Sequence, residues 1–252
     1  MQSHFFRDDG VCVGGNIFSG MTAVGGADFA KLRPSHFFSY LSRMTSISYI
    51  EMGNELLKGR IVNTNAAEAG QMLRAQGFAL DRVVVVPDEG PAIRQAVEEE
   101  MRQHRVVLLS GGLGPTKDDI TKHSLAALFQ TELVLHEPSL AALEERYRKR
   151  NRVFSELNRQ QAFVPANCTV LPNPLGTAPG MMFETDECLL FVMPGVPFEM
   201  RRMLEQEVIP RLKTRFAPES IRQEVIRLFD IPESDVATRM EQIEDRLPAA
   251  LD

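Results

Sequence analysis

At 252 residues, 44% hydrophobic and 25% charged, the chain can bury a full core; it is long for one compact domain and short for two large ones. Its formal net charge of -6 and pI near 5.5 give nucleic acid no basic surface, and no apolar run approaches the roughly 18 residues that a membrane span needs. Three cysteines, Cys12, Cys168 and Cys188, share no metal-ligand spacing. Their odd number, without a signal-peptide pattern, points to reduced thiols and a cytoplasmic location.

Residues 1–43 are glycine-rich, with scattered phenylalanines and no sustained period of 2 or 3.6, and are expected to form a disordered extension. Order begins near Met44. A strand-like Ser46-Ile47-Ser48-Tyr49-Ile50 runs into Gly53-Asn54-Glu55 and then Gly59-Arg60-Ile61-Val62-Asn63-Thr64-Asn65. Asn63 or Asn65 can cap the helix that follows, whose stripe is Ala66, Ala69, Met72 and Leu73, with Gly77 placed to end it. Val83 to Val86 read as a second buried strand. Pro91 opens a helix with an apolar face of Ile93, Ala96, Val97 and Met101, and Val106 to Leu109 read as a third strand.

Strands alternating with helices imply a mostly parallel sheet with right-handed crossovers. The carboxyl ends of such strands share one edge, so the loop holding Glu55 and the loop holding Asp118 can converge although some 60 residues separate them.

After the third strand comes Ser110-Gly111-Gly112-Leu113-Gly114-Pro115-Thr116-Lys117-Asp118-Asp119-Ile120-Thr121. The glycines let backbone approach a ligand, and a helix start presents unpaired N–H groups, which suits phosphate. Two adjacent carboxylates would repel a bare phosphate and argue for a hard cation between the two sets of oxygens. Lys117 occupies the position of a third glycine, so this is not the dinucleotide fingerprint, and Lys117-Asp118 excludes a Walker loop. The plain alternative is a Gly-Pro turn with a capping aspartate.

Farther on, Leu125, Ala126, Leu128 and Phe129 form a helix face, Leu133 to Leu135 a short strand, and Leu140 to Arg150 a charged helix. Polar segments follow, Arg152 to Ala162 and Asn173-Pro174-Leu175-Gly176-Thr177-Ala178-Pro179-Gly180. Leu189 to Met193 is a buried strand ending in Pro194-Gly195-Val196-Pro197-Phe198-Glu199-Met200, where a second helix start can face the same cleft.

Taken whole, SGGLGPTKDDIT resembles the signature loop of the molybdopterin-binding-like domain of MogA, MoaB and CinA proteins. GNELLKGRIVNTNA, the Asn158-Arg159-Gln160-Gln161-Ala162 and Asn173–Gly180 segments and PGVPFEM are each similar to CinA segments in the same order. The resemblance covers about Ile47 to Phe216. It implies a three-layer α/β molybdopterin-binding-like domain at 44–218, a mostly parallel sheet flanked by helices. Residues 219–252, with Phe229 to Asp235 similar to the start of CinA's next domain, then form the beginning of a second small α/β domain. No nicotinamide-nucleotide amidase activity is expected.

For function the resemblance implies metal-dependent hydrolysis of ADP-ribose to AMP and ribose 5-phosphate. A non-catalytic molybdopterin- or nucleotide-binding module and a MogA-type pterin adenylyltransferase are the alternatives. The expected cofactor is a divalent cation, magnesium, manganese or cobalt, with potassium as a further candidate. Asp118 and Asp119 are the expected metal-binding or water-orienting residues, and Glu55 a second metal contact or general base. Gly111, Gly112, Gly114 and Thr116 would cradle phosphate with Gly195, while Asn63, Asn65, Asn158, Gln161, Asn173 and Thr177 are candidates for sugar, base or phosphate contacts. The partner is a small nucleotide or pterin. CinA proteins are dimeric, and a stripe of Val236, Met240, Ile243 and Leu247 at helical spacing is the candidate dimer contact.

Overall fold

The computed structural model describes residues 4–6, 12–14, 45–116, 119–216, 231–232 and 234–238. The chain divides into a unit His36–Ile221 and a second unit made of Met1–Ser35 with Arg222–Asp252. In the second, strands β1 (His4–Phe6) and β2 (Cys12–Gly14) pair antiparallel with His4 opposite Gly14. Strands of three residues are too short for alternation to reveal them in sequence. Positions 234–238 are helical, with Val236 half-buried; Met240, Ile243 and Leu247 lie outside the described residues.

In chain order the larger unit forms β3 (Ile47–Met52), α1 (Asn54–Leu57), α2 (Thr64–Arg74), β4 (Arg82–Val86), α3 (Gly90–Gln103), β5 (Val106–Ser110) and α4 (Thr121–Leu128). Next come β6 (Leu133–Leu135), α5 (Glu137–Lys149), α6 (Glu156–Arg159), β7 (Phe163–Pro165), β8 (Thr169–Leu171), β9 (Gly180–Glu184) and β10 (Leu189–Met193). Helices α7 (Pro197–Met203) and α8 (Ile209–Arg215) close it, joined through a π turn at Leu204–Val208. Six strands make one sheet in the order β4-β3-β5-β10-β9-β8. The first four are parallel, and β9 and β8 run antiparallel at one edge. Strands β6 and β7 pair separately.

The sheet is the middle of three layers because its central strands are apolar on both faces. Val106 and Leu108 pack with Ile47, Tyr49, Leu73 and Leu212 on one side. Val107 and Leu109 pack with Ile50, Ile93, Val97 and Leu125 on the other. Full burial of each such side chain stabilises the fold by roughly 1.5–3 kcal/mol. Helix α2 starts where Asn63 Oδ1 accepts the Ala66 N–H at 3.0 Å, and it buries Ala66, Ala69 and Leu73. Helix α3 carries Pro91 in its first turn and buries Ile93, Ala96 and Val97.

One strand differs from its sequence reading. The valine run at 83–86 forms the sheet's outer strand β4, and Val83 is 47% exposed while Val86 is buried. Four consecutive valines satisfy a central and an edge strand equally, so only neighbours decide. Cys188 is buried in the core and Cys168 packs against it. Desolvation pushes their thiols up to about 12 and about 11, so both stay protonated at neutral pH. No helix among the described residues is long and apolar enough to cross a membrane.

Candidate active site

Strands β3, β5 and β10 are parallel neighbours, so their carboxyl ends emerge on one side and their loops meet. A cleft of about 560 Å³ opens there, with Glu55, Asn63, Asp88, Gly111 to Pro115, Asp119, Thr177 and Gly195 among its walls. The convergence of the Glu55 loop with the signature loop is therefore realised, at Asp119; Lys117 and Asp118 lie outside the described residues.

The floor is main chain. Gly111 N–H donates to Met193 O at 3.1 Å, tying the signature loop to the end of β10. A Cβ on Gly195 would stand 3.2 Å from Gly111 Cα, so the two loops touch backbone to backbone. Gly111 and Gly112 adopt φ of 112° and 64°, a region that disfavours side chains. Thr121, at the start of α4, fastens this turn from below: its Oγ1 donates to Gly111 O at 3.0 Å and its N–H to Gly112 O at 3.2 Å.

Asp119 is first of all a loop organiser. Its Oδ1 accepts the Gly114 N–H at 2.8 Å, and its Oδ2 accepts the Thr116 N–H at 2.7 Å and the Thr116 hydroxyl at 2.6 Å. The capping-aspartate alternative thus describes what this carboxylate does within the chain. The amides of Gly114 and Thr116 turn inward onto Asp119, not outward to a phosphate, and exposed Thr116 is not a wall of the cleft. Gly111, Gly112 and Gly195 remain positions where backbone lines the cleft.

The asparagines sort into three kinds. Asn63 and Asn65 line the cleft; Asn63 uses Oδ1 as the α2 cap while its Nδ2 is buried without a partner. Asn158 stands apart, in a capping box with Ser155 and donating to the Tyr147 hydroxyl at 2.7 Å. Asn173 is engaged on both sides by its own loop and Glu199. Gln161 is buried and, like Asn158 and Asn173, lines none of the cleft. Asn158, Gln161 and Asn173 therefore stand outside this cleft, their segments organising loops, whereas Thr177 lines it.

Several polar residues at the site escape the sequence patterns. Asp88 Oδ2 accepts the Asn54 N–H at 2.9 Å at the start of α1. Glu199 enters from α7. Lys122, behind the loop and not a wall of the cleft, is buried, donates to Gln160 O, and has its pKa lowered by desolvation against the opposing pull of Asp119. Glu51 and Ser110, at the ends of β3 and β5, are buried beneath the glycine loops; burial is the main cause that lifts the Glu51 carboxyl to about 7. A signal existed for Glu51, a lone acid closing an apolar strand, but in sequence it reads as an exposed strand end.

The fold and the cleft define an α/β protein with an open cleft at the carboxyl edge of a parallel sheet, its floor made of glycine-loop main chain. Residues 48–214 match the family described as "Probable molybdopterin binding domain", and the chain belongs to that family. It is 42% identical over 195 residues to a competence-damage inducible protein of Clostridium botulinum (strain Kyoto / Type A2), covering 77% of this chain and 47% of that relative. It is also 40% identical over 200 residues to a protein of Pyrobaculum calidifontis, covering 79% of this chain and 76% of the other. Among solved structures, the CinA protein of Thermoplasma acidophilum is similar with a TM-score of 0.60 and 33% identity, over 69% of this chain and 98% of that one. The chain spans about half the length of the Clostridium relative it matches.

Proposed function

We propose that the cleft binds a nucleotide or pterin through its phosphate and that the protein hydrolyses a nucleotide diphosphate, ADP-ribose to AMP and ribose 5-phosphate, with a divalent cation. The observation that carries this reading is the juxtaposition of a main-chain floor at Gly111, Gly112 and Gly195 with carboxylates at Glu55, Asp88 and Asp119 in one cleft. Ile61, Val62 and Val196 add an exposed apolar lip to the same cleft, which suits a ligand with a ring at one end and phosphate at the other.

The donor set is all oxygen, as a hard cation requires, and neither described core cysteine lines it. Among the described residues no three His, Cys, Asp or Glu side chains group as a complete metal cage. That fits a magnesium-type ion, which takes one or two carboxylates and completes its shell with ligand phosphate and water. Asp119, with Glu55 or Asp88, would hold it. When bound, such an ion neutralises diphosphate charge and acidifies a water. The chain itself contributes close backbone approach, a loop fixed by Asp119, and the carboxylate of Glu55 to orient a nucleophile.

A second reading, a non-catalytic pterin or nucleotide module, is favoured by the engagement of both Asp119 oxygens within the loop. One screen separates the readings. Magnesium, manganese and cobalt are tested against ADP-ribose, and AMP transfer onto molybdopterin is tested in parallel. Release of AMP and ribose 5-phosphate that a chelator abolishes supports hydrolysis; tight binding with neither reaction supports the module.

A further inference from the structure

Under the glycine loops lies a carboxyl that the proposed reaction does not use. Glu51 is 4% exposed and borders the cleft floor. Its Oε1 accepts from Asn65 Nδ2 at 3.1 Å and stands 3.4 Å from the Ser110 hydroxyl. The same two donors hold the loop after β10, Asn65 Nδ2 reaching Gly195 O at 2.9 Å and Ser110 Oγ reaching Pro194 O at 3.2 Å. Glu51 therefore anchors the knot that sets Gly195 against Gly111.

That knot leaves buried polar atoms unmet. Glu51 Oε2, Asn65 Oδ1 and the Tyr49 hydroxyl are all buried without a partner, and the first two can only accept when Glu51 is ionised. The Tyr49 hydroxyl is the one unpartnered donor beside these two acceptors, and a proton on Glu51 supplies a second. The groups that act on its ionisation are Asn65 from α2, Tyr49 from β3, Ser110 from β5 and Glu55 from α1, none of them a cation. Glu68, which acts on Tyr49, is held by Arg201 at 2.6 Å. Desolvation is the main cause raising the carboxyl to about 7, and the Glu55 charge adds to it against the opposing pull of the Asn65, Tyr49 and Ser110 dipoles.

We propose that Glu51 is a proton-linked positioning residue of the cleft: entry of an anion is accompanied by uptake of a proton on Glu51, so anion affinity falls as this carboxyl ionises. A negative ligand over the floor disfavours a second negative charge beneath it, and by linkage the affinity then drops by up to about tenfold per pH unit above the midpoint. The proposal rests on the cleft being a phosphate site.

Two probes that do not titrate near neutrality are used on the full chain: inorganic sulfate, and ADP-ribose in chelator. Carbon-13 spectra of the glutamate carboxyls should show one group with a midpoint near 7, absent from Glu51→Gln and moved upward by roughly half a unit or more in sulfate. Sulfate affinity should fall with pH in the wild type and be level between about pH 6 and 8 in Glu51→Gln. Ser110→Ala, which removes one donor to the charged form, should raise the midpoint and serves if Glu51→Gln does not fold. A midpoint indifferent to sulfate, or the same pH slope in Glu51→Gln, overturns the proposal. If sulfate moves the midpoint but ADP-ribose does not bind, the nucleotide reading fails and the proton linkage stands. If ADP-ribose binds with equal pH dependence in both proteins, the linkage fails and the nucleotide reading stands.

Discussion

Two asparagine-centred regions flank the end of the sheet, and they differ in what they leave unsatisfied. In the loop after β8, Asn173 Oδ1 accepts from Gly176 N–H at 2.9 Å and Leu175 N–H at 3.3 Å, while Nδ2 donates to Ala178 O at 2.8 Å and Glu199 Oε2 at 2.7 Å. Arg146 covers the loop's carbonyls, donating to Pro174 O at 3.1 Å, Gly176 O at 2.7 Å and also Leu175 O. Beneath the glycine loops, by contrast, Asn65 keeps a buried acceptor free beside Glu51 and Tyr49. Asn173 has all its hydrogen-bonding positions met and is scaffold, with only Arg146 Nε beside it left without a partner, whereas an acidic cluster left with several unmet buried groups is poised for a proton or a ligand.

That contrast is most sharply tested at Asp119, which sits between the two behaviours. Asp119→Asn places an NH2 where the loop presents donors, so turnover of ADP-ribose with metal should fall on the order of 100-fold or more, read by AMP release. Full activity in this variant would remove Asp119 from the site and leave it as a cap alone. Asn173→Asp should act on stability instead. It deletes both donated bonds and sets a carboxylate beside Glu199, costing about 2–3 kcal/mol and lowering Tm by roughly 5–10 °C; an unchanged Tm would show that the loop does not depend on this side chain.

Glu51→Gln should do the reverse. The native carboxyl is raised from 4.5 to about 7, so the folded state binds the extra proton and wild-type stability falls as pH rises through that window. Below about pH 4.5 the variant and wild type should melt alike, and above pH 7 the variant should gain roughly 2–3 kcal/mol. Chemical denaturation across pH 4 to 8 checks the sign, and a gain confined to acid pH would contradict it. The smallest effect belongs to Asn158→Ala, which loses the capping box and the Tyr147 bond at a cost of about 0.5–2 kcal/mol while ligand affinity stays unchanged, measured by ADP-ribose titration. Lost affinity would return Asn158 to the binding residues.

The sheet was legible where its strands are continuous apolar runs, as at Val106 to Leu109 and Leu189 to Met193, because burial on both faces leaves no other reading. The meeting of the Glu55 and Asp119 loops followed from parallel topology alone. What sequence could not reveal is which hydrogen-bonding groups already have partners. Asn158, Asn173 and Asn65 look equally suited to a ligand in one dimension, yet the first two are engaged by Ser155 and Gly176, each three residues away, and Asn65 by Gly195, 130 residues away. Glu51 was missed for a related reason: an acid at the end of a strand is normally solvated, and the groups that meet it here, Asn65 and Ser110, come from other elements of the fold.

The contact of Gly111 with Gly195 has a consequence for how this cleft can change. Because both surfaces at that point are backbone, no point substitution can retune the floor gradually; any side chain there acts as a wedge that parts the loops. Ile61, Val62 and Val196, exposed at the lip, carry no such constraint. The cleft can therefore change one side chain at a time around the rim while its main-chain floor stays fixed.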